Sequence, residues 1–321
     1  MKKKLALLLL SAGRRVALME CFRNDAAALG IDLRVLAADA KPELSAACAL
    51  ANSAHAAPRC TEPEYESFVL QLCKQEGIDL VVPTIDTELL ALARIPDALA
   101  RQGTRALISS EAVVLLARDK LRTAEVLSSA GIRTPRTVSL DKFDRDDPAW
   151  AWPLFVKPRA GSSSMGVNVI TYDQANALPR EADLVVQERL VGAEYTVNIF
   201  FDRGGALKAV IPHLRIETRA GEVSKADTVR SAAIENIGWA LQGVLDGARG
   251  PLCFQLIDQP DRGPVVFEIN ARFGGGYPIA HHAGAAFTKW LIEEEAGLPS
   301  STNNEWRDGV RMLRYDAAVF R

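Results

Sequence analysis

Blocks of apolar residues alternate with helix-period segments over the first hundred positions. Leu5–Leu10 reads as a buried strand, and Val16–Leu29 as a helix ended by Gly30. A strand over Leu33–Ala38 ends at Asp39, and a helix over Tyr65–Glu76 is stopped by Gly77. Leu80–Pro83 is a strand, Glu88–Arg101 a helix running up to Gly103, and Arg105–Ser109 a strand. Strands alternating with helices predict an α/β domain with a parallel sheet covered on both faces. Ligands of such sheets sit at the C-terminal strand ends. Here those ends carry Ser11-Ala12-Gly13-Arg14, Asp39, and Thr84 with Asp86. Capping of a helix or turn accounts for Asp39 and Asp86 as well as ligand contact does. No GxGxxG follows the first strand, which argues against a dinucleotide.

Residues 113–139 predict a helix broken near Arg118-Asp119-Lys120 and ended by Gly131, with Pro135 beyond. Asp119 is placed to cap the second piece, which leaves Lys120 in a first turn where a cation opposes the helix dipole. An anion nearby would explain that placement; a solvated lysine is the simpler reading of the position alone. After a polar connection, the strands Leu154–Val156 and Val167–Ile170 flank a loop of Gly161, Ser162, Ser163, Ser164, Met165 and Gly166. Glycine-rich backbone cradles phosphate, and Lys157 leaves the first strand aimed at the loop. No GK[ST] and no helix follow, so this is a strand-loop-strand flap rather than a Walker loop, or else a plain hairpin. Residues 184–201 give two strands separated at Gly192, with Glu188 and Glu194 on either side. Main-chain groups there would suit an adenine, and a carboxylate the ribose hydroxyls; a surface hairpin with two solvated glutamates is the alternative. Strands carrying Arg215 and Lys225 span 206–230, helices are expected over 231–247 and 278–297, and 298–321 is a tail with a strand-like end. The adjacent His281 and His282 have no metal-ligand spacing.

The densest pattern is residues 250–276, two strands joined by a polar turn over Asp258–Gly263. Side-chain alternation puts Phe267, Ile269 and Ala271 on one face and Glu268, Asn270 and Arg272 on the other. Gln255 lies on the facing strand between Phe254 and Leu256. Gln255, Glu268 and Asn270 offer oxygens of the kind hard divalent cations take, and Arg272 suits charge on a transferring phosphoryl group. An ordinary sheet edge would alternate in the same way. The Gly274-Gly275-Gly276 run after Arg272, with the motifs upstream, favours a site.

Composition narrows the classes. A formal net charge of -2, with Lys and Arg dispersed, argues against a nucleic-acid binder. The five cysteines form no CxxC pair and read as small buried hydrophobes in a reducing compartment. The start MKKKLALLLLSAGRR imitates a signal peptide, but its apolar run is short and Arg14 and Arg15 follow at once. A first strand explains the run, so a cytoplasmic location is expected, and no stretch has the length of a membrane span.

Four motifs stand in one order: RDK at 118–120, FVKPRAGSSSMG at 155–166, VVQERLVGAEYTV at 185–197, and Gln255 with FEINAR at 267–272. Together they resemble the ATP-grasp superfamily. The likeness runs over roughly residues 1–297 and is greatest to one synthetase half of the carbamoyl phosphate synthase large subunit. Amino-acid ligases that make the pyrrolysine precursor are also similar, the RFGGG run included. The resemblance implies a Rossmann-like pre-ATP-grasp domain over 1–112 and a two-lobed α+β ATP-grasp domain over 113–297. The small lobe with its flap would span 113–184, the large lobe with the metal site 185–297, and a tail 298–321. It implies that Lys120 and Lys157 contact ATP phosphates beneath the Gly161–Gly166 flap. Gln187, Glu188 and Leu190 would lie at the adenine, Glu194 at the ribose, and Lys225 and Arg215 more loosely near the nucleotide. Gln255, Glu268 and Asn270 would hold magnesium, or manganese in its place, and Arg272 would sit at an acyl phosphate. The implied function is an ATP-dependent carboxylate–amine ligase releasing ADP and phosphate, with small-molecule substrates and a superfamily tendency to homodimers. Phosphorylation of bicarbonate or carbamate, and a non-catalytic ATP-binding module, are the alternatives. The chain lacks the second synthetase half of carbamoyl phosphate synthase, and Ala271 stands where many relatives have proline.

Overall fold

The computed structural model describes residues 3–161, 168–179 and 181–320. The first strand, β1 (Lys4–Leu9), is buried from Leu5 onward, as its unbroken apolar run demands. It leads through α1 (Val16–Ala28) to β2 (Asp32–Asp39), then α2 (Ala46–Leu50), β3 (Ser53–Ala56), α3 (Tyr65–Glu76) and β4 (Leu80–Val82). The helices α4 (Asp86–Arg94) and α5 (Pro96–Ala100) precede a short β5 (Arg105–Ala106). The single helix expected over Glu88–Arg101 is therefore two. Pro96 has no N–H to donate and opens the second piece. The strand expected over Arg105–Ser109 keeps only its first two residues. All pairings are parallel, in the order β3-β2-β1-β4-β5. The order reverses at β1, so the crevice for a ligand lies between the loops after β1 and β4. Glu88 plugs that crevice, accepting from Ser11 Oγ (2.6 Å), the Thr84 amide (2.6 Å), the Ile85 amide (3.1 Å) and Tyr65 Oη (2.9 Å). Asp39 accepts from the Gly13 amide at 2.8 Å and the Lys41 amide at 3.0 Å, a loop-fixing role.

Helices α6 (Glu111–Arg118) and α7 (Lys120–Ser129) meet at Asp119, the break read from the sequence. A four-stranded antiparallel sheet follows, β6 (Thr137–Ser139), β7 (Leu154–Pro158), β8 (Asn168–Ile170) and β9 (Leu184–Gln187), in the order β6-β9-β7-β8. It has its own small core of Leu140, Phe143, Trp150, Leu154, Val156 and Val186. The larger sheet holds β10 (Ala193–Phe201), β11 (Leu207–Arg219) and β12 (Glu222–Thr228), then β13 (Gly250–Gln259), β14 (Gly263–Asn270) and β15 (Arg311–Leu313). Between them lie α8 (Ala232–Ala240), α9 (Tyr277–Ala283) and α10 (Phe287–Ala296). The helix expected over 231–247 stops at Ala240 and tightens into a 3-10 turn, Leu241–Gly243. That expected over 278–297 is split at Gly284, whose φ of 119° ends α9. This sheet shares its core with the parallel one: Leu8 and Val69 lie in one cluster with Val197, Phe254 and Ile269. The chain crosses between the sheets at Gly192, where a Cβ would stand 2.1 Å from the Asp258 carbonyl oxygen. Only glycine permits that approach.

Candidate active site

The β13–β14 pairing sets Gln255 opposite Glu268 and Cys253 opposite Asn270, then skips so that Leu256 faces Val266. The skipped residue is Phe267. A bulge turns a side chain out of strict alternation, and the Phe267 ring comes to lie 5.7 Å from Lys157 Nζ rather than in the core. That corrects the expectation that Phe267 shares a face with Ile269 and Ala271, which are in the core.

Glu268, Asn270 and Gly161 line one cleft with Arg118 at the end of α6 and Asp86 from the parallel-sheet side. Lys157 is 8% exposed. Burial pushes its ammonium down to about 8, the neighbouring Lys120 adds to this, and Glu268 opposes it. Desolvation likewise lowers Lys120, against the pull of Glu268 and Asp86. The Glu268 carboxyl is raised by burial, with Lys120, Lys157 and Arg272 opposing. The three groups are thus close enough to set each other's charge. Asp119 caps α7 through the Leu121 and Arg122 amides (3.0 and 3.1 Å) and holds Arg159 (Nη2–Oδ2 2.6 Å). Lys120 donates its backbone amide to the Arg159 carbonyl (3.1 Å) and its Nζ to the Gly161 carbonyl (3.0 Å). The RDK triplet is therefore pinned to the strand that ends at the glycine loop. Ser162, Ser163, Ser164, Met165 and Gly166 of the expected flap lie outside the described residues.

Arg272 donates to Asp86 Oδ2 at 2.6 Å and to Asn270 Oδ1 at 3.1 Å. Burial lowers its basicity, yet Asp86 outweighs that and holds the guanidinium charged. Gln255 bonds at both ends when its nitrogen faces Glu268 Oε2 (2.6 Å) and its oxygen faces Arg215. One carboxylate and two carboxamides within one register fit a hard cation whose other oxygens come from phosphates. Among the described residues no cluster of three or more His, Cys, Asp or Glu forms a separate metal site.

Other expected nucleotide contacts are engaged within the protein. Glu188 pairs with Arg262 and accepts from the Arg136 amide at 3.2 Å. Its own amide bonds the Arg136 carbonyl at 2.9 Å. Gln187 is buried with Nε2 on Thr137 Oγ1 at 2.8 Å, and Leu190 is half-buried. Glu194 pairs with Arg215 at 2.7 Å. Lys225 is exposed and bound to Glu217 at 2.6 Å. Two residues are more central than their sequence context suggested. Arg215 links Glu194 to Gln255, because Tyr195 pairs with Leu214 and Glu194 therefore falls beside Arg215. Asp86, which the sequence left open between a cap and a ligand contact, clamps Arg272. Both depend on strand register or domain docking, which local pattern does not carry.

Residues 117–276 match the family model for the ATP-grasp domain, and residues 7–107 the PylC-like N-terminal domain. The chain is 35% identical over 115 residues to a D-alanine–D-alanine ligase of Saccharophagus degradans, covering 32% of this chain and 35% of that protein. The matched curated ligases are covered over only 30% to 65% of their own length. The biotin carboxylase domain dimer of Hydrogenobacter thermophilus 2-oxoglutarate carboxylase, solved with MgADP, ADP and bicarbonate, superposes with a TM-score of 0.73. It is 17% identical, over 95% of this chain and 73% of that one. An L-amino acid ligase from Bacillus licheniformis gives a TM-score of 0.68 at 18% identity, over 94% and 76%. With both family models matched in order, the chain belongs to the ATP-grasp superfamily, an ATP-grasp domain behind a PylC-like N-terminal domain.

Proposed function

We propose that this protein is an ATP-dependent carboxylate–amine ligase that works through an acyl phosphate and releases ADP and phosphate. The observation that carries the reading is that Glu268, Asn270 and Gly161 line one cleft, with Lys120 bonded to the Gly161 carbonyl, Lys157 over the Phe267 ring next to Glu268, Arg272 bonded to Asn270, and Gln255 beside Glu268. Lys120 and Lys157 would bind nucleotide phosphates, with residues 161–166 over them. The Glu188 carbonyl and the main chain at Leu190 would hold the adenine, with Gln187 beneath it, and Glu194 would reach the ribose. Gln255, Glu268 and Asn270 would hold magnesium, which when bound neutralises phosphate charge. Lys225 would act only at the rim. The substrate carboxylate attacks the γ-phosphorus, and the amine then displaces phosphate from the acyl carbon. Such chemistry is positioning and charge stabilisation, so no side-chain nucleophile is required. Arg272, fixed by Asp86 and Asn270, is placed to offset charge on the acyl phosphate. The division at 112, 184 and 297, a cytoplasmic location and a homodimer belong to the same reading. Among the described residues no helix is long and apolar enough to cross a membrane.

The test is an ADP-release screen over pairs of amino acids and small carboxylates with mass spectrometry of products. Wild type should release ADP only with a carboxylate present and give an amide product. Glu268→Gln should lower turnover by about 100-fold or more, the order found for loss of one charge-stabilising group, with its melting transition intact. ADP release with bicarbonate alone would redirect the reading to carbonate phosphorylation, and full activity in Glu268→Gln would remove the metal assignment.

A further inference from the structure

Beside the active centre lies a cationic cluster that the reading above does not use. Arg14 and Arg15, from the loop after β1, approach Glu222 at 3.4 and 2.7 Å. Arg314, just past β15, reaches the same carboxylate at 3.2 Å and donates to the Gly275 carbonyl. Three guanidiniums thus face one carboxylate. Desolvation pushes the Glu222 carboxyl up, but the three arginines outweigh it, so it is ionised and the cluster keeps an excess of two positive charges. Asp39, at the end of β2, is occupied by the Gly13 and Lys41 amides. The first turn of α1, which begins after Arg15, has no acidic residue and no side-chain cap, so its amides add to the positive field.

The cluster adjoins the site through the triple-glycine loop. A Cβ on Gly275 would stand 3.0 Å from the Glu222 carboxyl carbon, and one on Gly276 2.6 Å from His213 Nε2. His213 is fully buried and its Nε2 has no partner. Its Nδ1 faces Asn198 Nδ2 at 3.2 Å and so accepts, which puts the proton on Nε2, pointing at that loop. Gly275 is three residues past Arg272, at most about 11 Å along the chain. The Gly275 carbonyl held by Arg314 therefore lies within that distance of the Arg272 backbone.

We propose that Arg14, Arg15 and Arg314 form a subsite for a substrate carboxylate that does not react. One substrate is then a small acid that keeps a free carboxylate: an amino acid entering through its amine, or a dicarboxylate entering through its other carboxyl. Guanidinium groups suit this because they bind carboxylates bidentately. The word substrate rests on the ligase reading; the binding claim does not.

The test is thermal melting without nucleotide against a panel of amino acids, their α-amides, dicarboxylic acids and their half-amides. At least one acid should stabilise wild type while its amide does not, and the successful arm separates the two sources. Arg14→Gln, chosen because Arg14 is the most exposed of the three, should weaken that acid at least tenfold, with Arg14→Lys recovering part of the loss. In the ADP-release assay the same variant should lose its preference for the acid over the amide. Equal stabilisation by acids and amides, or wild-type acid affinity in Arg14→Gln, overturns the proposal. ADP release with no change in acid preference defeats only this inference. Acid-selective binding without any ADP release defeats only the ligase reading.

Discussion

Lys157 shows how one residue's surroundings set a pH response. Its stem is enclosed on β7, and an ammonium there has lost most of its hydration, so its proton is held only to about pH 8. An unfolded lysine holds its proton to about pH 10.4. Between those values the unfolded chain binds more protons than the native one, so stability of the free protein should rise with pH over that window. Nucleotide affinity should run the other way, since only the protonated group pairs with phosphate. The expectation is a kcat/KM for ATP that is flat below about pH 8 and falls up to tenfold per unit above it. Lys157→Met should lose about 100- to 1000-fold in kcat/KM and abolish both the limb and the alkaline gain in stability. A limb that survives in Lys157→Met would assign it to another group. Denaturant melts and initial rates across pH 6.5–10 measure the two signs independently.

At the scale of elements, the α6–α7 elbow was legible because its logic is local. Asp119 satisfies two amides at the start of α7, and the same carboxylate grips Arg159 at the edge of the glycine loop. Asp119→Ala should cost about 0.5–2 kcal/mol as a lost cap and should also raise KM for ATP, because Lys120 and the 158–161 segment lose their common anchor. Asp119→Asn, which still caps but grips Arg159 less strongly, should restore most of the stability and less of the affinity. Equal recovery of both would mean the anchor is irrelevant to nucleotide binding. The same locality explains why α3 and the parallel strands β1, β2 and β4 were read from hydrophobic period and stop residues, while the half-exposed β3 (Ser53–Ala56) was not read at all, and why the polar face Glu268–Asn270–Arg272 was found by alternation. What was not legible depends on contacts distant in sequence. The bulge at Phe267 arises from a register shift opposite Gln255 and Leu256. The pairing of Arg215 with Glu194 needs the β10–β11 register. Neither leaves a mark in composition or spacing.

At the scale of the whole molecule, the parallel-sheet half does more than support the nucleotide lobes. Asp86 opens α4 in that half, and its side chain crosses to Arg272 at the end of β14. Arg118 donates to the Asp86 carbonyl at 2.8 Å, tying the RDK elbow to the same point. Both partners of the pair are about one-seventh exposed, so removing one leaves a poorly solvated charge, a loss of about 3–5 kcal/mol in comparable cases. Asp86→Ala should therefore lower the melting temperature and also reduce kcat, because Arg272 is freed from its position. Arg272→Met alone should abolish most activity and also lower stability, since it leaves the Asp86 carboxylate without its partner. The double variant separates the two effects. Its loss of stability should fall short of the sum of the two single losses, giving a coupling energy of at least about 1 kcal/mol in a double-mutant cycle, while its activity stays at the Arg272→Met level. Additive melting shifts would mean that Asp86 and Arg272 do not act as a pair, and that the parallel-sheet half reaches the reaction centre by some other contact.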